Sequence, residues 1–148
     1  MADLAQHFRA TRIIAVAMIV SLLTYAVIAE LIRARFAPFQ GFSRFPQWET
    51  LRWVFLVLAA VEAVGIRVLR TALLTRRQDG PGPGQRLQTA SIVTFAMCES
   101  VGLFGFVLFV VSGSSADFYG FLVLSLLLFG IYFPRRDQWE EWARQIAR

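Results

Sequence analysis

Long apolar runs and short polar connections alternate along the chain. Four runs come close to the roughly 20 residues that a helix needs to cross a bilayer: residues 13–31, 51–74, 89–111 and 117–133. The connections hold residues that stop a helix. The first, from Phe36 to Trp48, is aromatic and carries Pro38 and Pro46, so it cannot be one regular helix. The second contains Asp79-Gly80-Pro81-Gly82-Pro83-Gly84, a breaker cluster that folds runs two and three into an antiparallel hairpin. The third, Ser112-Gly113-Ser114-Ser115-Ala116-Asp117, is short enough to make runs three and four antiparallel neighbours too. Pro134 ends the fourth run. Beyond it Trp139, Trp142, Ala143 and Ile146 recur at helical spacing, and Asp137 with Glu140 reads as a capping box. The pattern predicts an all-α integral membrane protein, one membrane domain over 1–148. It has four transmembrane helices in a compact antiparallel bundle, plus a short C-terminal amphipathic helix over 137–147.

Composition narrows the function. The chain has 148 residues, 57% hydrophobic and 17% charged, so four spans leave little of it for a soluble catalytic domain. It carries no phosphate loop and no nucleophile triad, so no catalytic site of its own is expected. The single histidine, His7, lies in the polar lead, which gives no support to a metal site or to haem ligation inside the membrane. No cofactor is expected. Cys98, the single cysteine, lies within the third run and reads as a small packing residue. The first apolar run is long for a signal peptide and ends in Glu30 and Arg33, so it reads as a retained span.

The net charge is +5 and every basic residue is arginine. These arginines flank the apolar runs, so membrane topology explains them better than nucleic-acid binding. Arg9 and Arg12, then Arg70, Arg76, Arg77 and Arg86, then Arg135, Arg136, Arg144 and Arg148 fall on one side. Arg33, Arg35, Arg44 and Arg52 fall on the other. The excess places both termini and the second connection in the cytoplasm, and the expected location is a bacterial inner membrane. Glu30 and Arg33 are three apart, close enough to pair on one helix face. The rings of the first connection suit interfacial anchoring, with a quinone-like ligand or partner as a weaker alternative. A weak internal repeat aligns Ile13, Ala17, Met18 and Ser21 with Ile92, Ala96, Met97 and Ser100. Chance matching of apolar helices is its rival.

The third run carries a carboxylate, Glu99, near its middle. A charge at that depth costs about 2.5–3.5 kcal/mol on insertion scales, so a proton, a cation or a partner must offset it. Glu62, in the second run, falls at a similar depth on the neighbouring antiparallel helix. If the two carboxylates face each other, they can share a proton. Arg67 is the candidate counter-charge, able to reach Glu99 across the hairpin or to snorkel to the surface. An ion pair would make Glu99 structural. An unpaired acid inside a membrane is a functional candidate by default.

From Arg76-Arg77-Gln78 to Val107 the chain resembles subunit c of rotary ATP synthases. Arg77-Gln78 matches the Arg-Gln pair of that family's cytoplasmic loop. Gln88-Thr89-Ala90 opens the following helix, and Ala96-Met97-Cys98-Glu99-Ser100-Val101-Gly102-Leu103-Phe104-Gly105 resembles the family's carboxylate segment. The resemblance implies a proteolipid in which Glu99 carries a proton or a sodium ion. The function expected is therefore ion binding at an intramembrane carboxylate, as part of a larger membrane complex. The alternative is a non-catalytic anchor or scaffold subunit of such a complex. The expected partners are the lipid bilayer and other membrane subunits, or further copies of the chain.

Overall fold

The computed structural model describes residues 2–43, 47–75, 82–137 and 140–141. Among the described residues four helices build the fold: α1 (Ala2–Arg35), α2 (Trp48–Thr75), α3 (Pro83–Ser112) and α4 (Ser115–Tyr132). α1 begins well before the first apolar run, because no breaker separates the polar lead from it; Thr11 Oγ1 donates to the His7 carbonyl within this extension. α3 starts with Pro83 in its first turn, where a missing N–H costs nothing. It ends at Gly113, whose φ of 74° is the left-handed cap conformation, and the Gly113 N–H donates to the Phe109 carbonyl. The Ser114 side chain then caps α4 by accepting from the Asp117 N–H.

The structure corrects the expected fold class. Among the described residues three helical segments are long and apolar enough to cross a membrane: Ala5–Arg35, Gly84–Ser112 and Ser115–Tyr132. α2 is not among them. Any 18 consecutive residues of α2 include three of Glu49, Arg52, Glu62, Arg67 and Arg70, so its charges are spread along its whole length. The expected C-terminal amphipathic helix is not one of the four helices, the last of which ends at Tyr132. Trp139, Trp142, Ala143 and Ile146, on which that expectation rested, lie outside the described residues.

α3 is the hub, and the other three pack on it. α1 runs parallel to α3: the His7 ring lies beside Gly84, Leu22 beside Gly102, and the Tyr25 ring packs at a tilt against Phe106. Positions paired in the internal-repeat register therefore lie at about the same level. α2 and α4 run antiparallel to α3. Phe55 stacks on Phe104 from α2, and Phe129 stacks on Phe95 from α4. α1 and α2 hardly meet, because they sit on opposite sides of α3.

Small residues on α3 set the spacing. At Gly105 a Cβ would fall 2.6 Å from Phe121 Cβ and 3.0 Å from the Phe118 carbonyl oxygen. At Gly102 it would overlap the end of the Leu22 side chain. Such close approach lets van der Waals packing hold helices together where lipid supplies no hydrophobic drive. The fully buried Ser125 hydroxyl adds a polar tie, donating to the Cys98 carbonyl at 2.5 Å.

The aromatic first connection folds over the α3–α4 turn. The Phe42 N–H donates to the Val110 carbonyl, and Phe39 packs on Phe109 with ring centroids 5.0 Å apart. Gly41, at φ 87°, and Gly113 allow the two backbones to touch. Phe36 and Phe42 stay exposed at this end of the protein.

Candidate functional site

α3 runs 16 residues from Pro83 to Glu99 and 13 more to Ser112, about 24 Å and about 20 Å of helix. Glu99 therefore sits near the middle of the hub helix. Its side chain is partly buried. It lies two turns before Phe106, on the border of α3 that faces α1. The next residue, Ser100, lies one turn before Phe104, on the border that faces α2. Between these borders runs a strip of α3 that no other helix covers, with Thr89, Ala96, Leu103 and Val107 exposed along it.

Glu62 meets this strip from the α2 side. Its Oε2 accepts a hydrogen bond of 2.6 Å from the Ser100 hydroxyl. The matched depth inferred from the hairpin is therefore found, but the contact is with Ser100 rather than Glu99. The Ser100 oxygen also lies 2.8 Å from the Met97 carbonyl oxygen. Among the described residues the Glu99 side chain makes no hydrogen bond and no ion pair. Arg67 is exposed on α2 and pairs with neither glutamate among the described residues. The expected counter-charge is thus not in place, because Arg67 sits five residues beyond Glu62, about 140° further round the helix.

The other charges of the helices are better satisfied. Arg52 Nε lies 2.9 Å from Asp117 Oδ1, joining α2 to α4 at the end where the first connection lies. Asp117 is 9% exposed there. Arg70 lies over the Tyr132 ring, 5.6 Å from its centroid, at the opposite end. Glu30 pairs with Arg33 at 2.8 Å, as their spacing predicts, and also accepts from the Tyr119 hydroxyl of α4. Two of the four arginines that weighed against the charge-based topology, Arg33 and Arg52, are therefore neutralised by acids beside them.

Sequence reasoning missed Ser100 as a partner for Glu62, and missed the Arg52–Asp117 pair. A signal for the second was present. Arg52 opens the second apolar run and Asp117 opens the fourth, and two helices antiparallel to the same neighbour start at the same end.

No family model matches the chain, and neither a curated protein nor a solved structure matches it. The class that the fold and site define is a helical protein with three helices able to cross a membrane and a lone carboxyl at the centre of its hub helix.

Proposed function

We propose that the chain is an ion-binding subunit of a larger membrane complex, in which Glu99 takes up and releases a proton or a sodium ion, as the likeness of residues 76–107 to subunit c implies. One observation carries this reading: Glu99 has no partner among the described residues and borders the uncovered strip of α3. A scaffold would need this carboxyl permanently satisfied, whereas a carrier needs it free to exchange. The uncovered strip is the route by which an ion, or the surface of a partner subunit, reaches it. The N-terminal ends of α1 and α3 lie on the same side, and they carry Arg9, Arg12 and Arg86, which supports a cytoplasmic location for that end of the protein.

The test is ion exchange by the purified protein in lipid vesicles. Wild type should take up and release protons, or exchange labelled sodium, in a saturable way. Glu99→Gln should keep the helical content and lose the exchange, since the amide mimics the neutral acid. Unchanged exchange in Glu99→Gln refutes the reading.

A further inference from the structure

The contacts of Ser100 do not balance with the protons of a serine alone. Its oxygen lies 2.6 Å from Glu62 Oε2 and 2.8 Å from the Met97 carbonyl oxygen. Both distances are those of good O–H···O hydrogen bonds. Both neighbours are acceptors when Glu62 is ionised, yet a hydroxyl has one proton to give. If that proton serves Glu62, the Met97 contact is empty. If it serves Met97, two oxygens face each other at 2.6 Å with no proton between them. One further proton, on the Glu62 carboxyl, satisfies both contacts at once.

We infer that Ser100 is a positioning residue that makes Glu62 a proton site in its own right, separate from Glu99. In the loaded state the Glu62 O–H donates to Ser100 Oγ, and the Ser100 O–H donates to the Met97 carbonyl. In the unloaded state the proton has passed to a water molecule at the uncovered strip of α3, giving hydronium. The Ser100 O–H then turns to the Glu62 carboxylate. The 2.6 Å spacing suits this charge-assisted bond as well. The Met97 carbonyl keeps its place in the α3 backbone ladder in either state. The hydroxyl turns, the heavy atoms stay, and α2 remains tied to α3 throughout. Glu62 therefore exchanges a proton without breaking the contact between α2 and α3.

The titratable groups around this site have other roles or other faces. On α3 they are Glu99, on the border toward α1, and the Cys98 thiol, buried in packing yet near enough to Glu62 to feel its charge. On α2 itself Arg67 points away from it. From α4, Asp117 is held by Arg52 and Tyr132 lies under Arg70, each near an end of α2. α1 brings no titratable side chain against α2, since the two helices hardly meet.

This inference extends the proposed ion-binding function but is tested apart from it. The experiment is infrared difference spectroscopy of the full chain in lipid, titrated with pH, in a Glu99→Gln background that removes the other carboxyl. A protonated-carboxyl C=O band that fades reversibly as pH rises is expected. It should be lost in Glu62→Gln, whose amide can still donate to Ser100 and so keeps the fold. It should shift to higher frequency in Ser100→Ala, where the carboxyl loses its acceptor, and return in Ser100→Thr, which restores the hydroxyl. A merely structural Ser100 would leave the band where it was. No band assignable to Glu62, or a band that Ser100→Ala does not move, overturns the inference. Either result leaves ion exchange at Glu99, measured in the wild-type background, to stand or fall separately.

Discussion

Gly105→Ala probes the tight approach of α4 to α3. A Cβ at this position would lie 2.6 Å from Phe121 Cβ and 3.0 Å from the Phe118 carbonyl oxygen. Carbon atoms rest about 3.5–4.0 Å apart, so α4 must retreat from α3 by about 1 Å. No rotamer change helps, because one obstacle is backbone and the other is the first atom of a side chain. Overpacking of this kind costs about 1–3 kcal/mol. The retreat also stretches the Ser125–Cys98 hydrogen bond from 2.5 Å toward the limit of bonding, a further loss of about 0.6–1 kcal/mol. The variant should therefore be destabilised by about 2–4 kcal/mol. Cys98 is the reporter: it is a free thiol, fully buried at the α3–α4 contact. A membrane-permeant maleimide reaches it only when the helices part, so its labelling rate follows the opening equilibrium. The expected acceleration is about 30-fold to about 900-fold. Gly120→Ala is the control, because a Cβ there meets nothing within 4 Å, and alanine is the better helix former by about 1 kcal/mol. If Gly105→Ala labels no faster than Gly120→Ala, the packing argument is wrong.

Three other outcomes follow from the same contacts. Arg52→Ala strands the buried Asp117 carboxylate; because Arg52 itself is about half exposed, the loss should be about 1–3 kcal/mol, between the values for surface and buried pairs. It should appear as a lower thermal midpoint, partly restored by adding Asp117→Asn. Ser125→Ala removes one interhelical hydrogen bond and should cost about 0.6–1.5 kcal/mol, read as a modest rise in Cys98 labelling with ion exchange unaltered. Gly102→Ala should rank between Gly105→Ala and Gly120→Ala, because its nearest obstacle is the flexible end of Leu22; adding Leu22→Ala should weaken the effect of the Gly102 substitution.

What the sequence made legible followed from periodic and local signals. The breaker clusters marked the helix ends, the Gly113 turn made α3 and α4 antiparallel, and the three-residue spacing paired Glu30 with Arg33. The depth match between Glu62 and the Glu99–Ser100 pair followed from counting rise along a hairpin. What failed depended on rotation about helix axes and on partners in space. Length alone made α2 resemble its neighbours, although Arg52, Glu62 and Arg70 each have partners on α3 or α4 and replace apolarity with specific contacts. A compact bundle implied one core shared equally by all four helices, whereas Gly102 and Gly105 draw α1 and α4 closely onto α3, and α2 packs on a separate face of α3. The face-to-face glutamates assumed a rotation that a one-residue offset undoes: Glu99 borders α1, Ser100 borders α2, and the hydroxyl takes the contact.

Site-resolved labelling of Glu99 with a hydrophobic carbodiimide bears most directly on the central claim. The reagent reacts with protonated carboxyls in apolar surroundings, and mass spectrometry of the α3 peptide locates the adduct. An exchanging, unpaired Glu99 should be modified, and the rate should fall as pH rises or as the transported ion is added. Glu99→Gln should then unfold at nearly the wild-type temperature. A Glu99 that resists the reagent, together with a stability loss of about 3–5 kcal/mol in Glu99→Gln, would mean that the carboxylate is held in a buried ion pair, and would contradict the account.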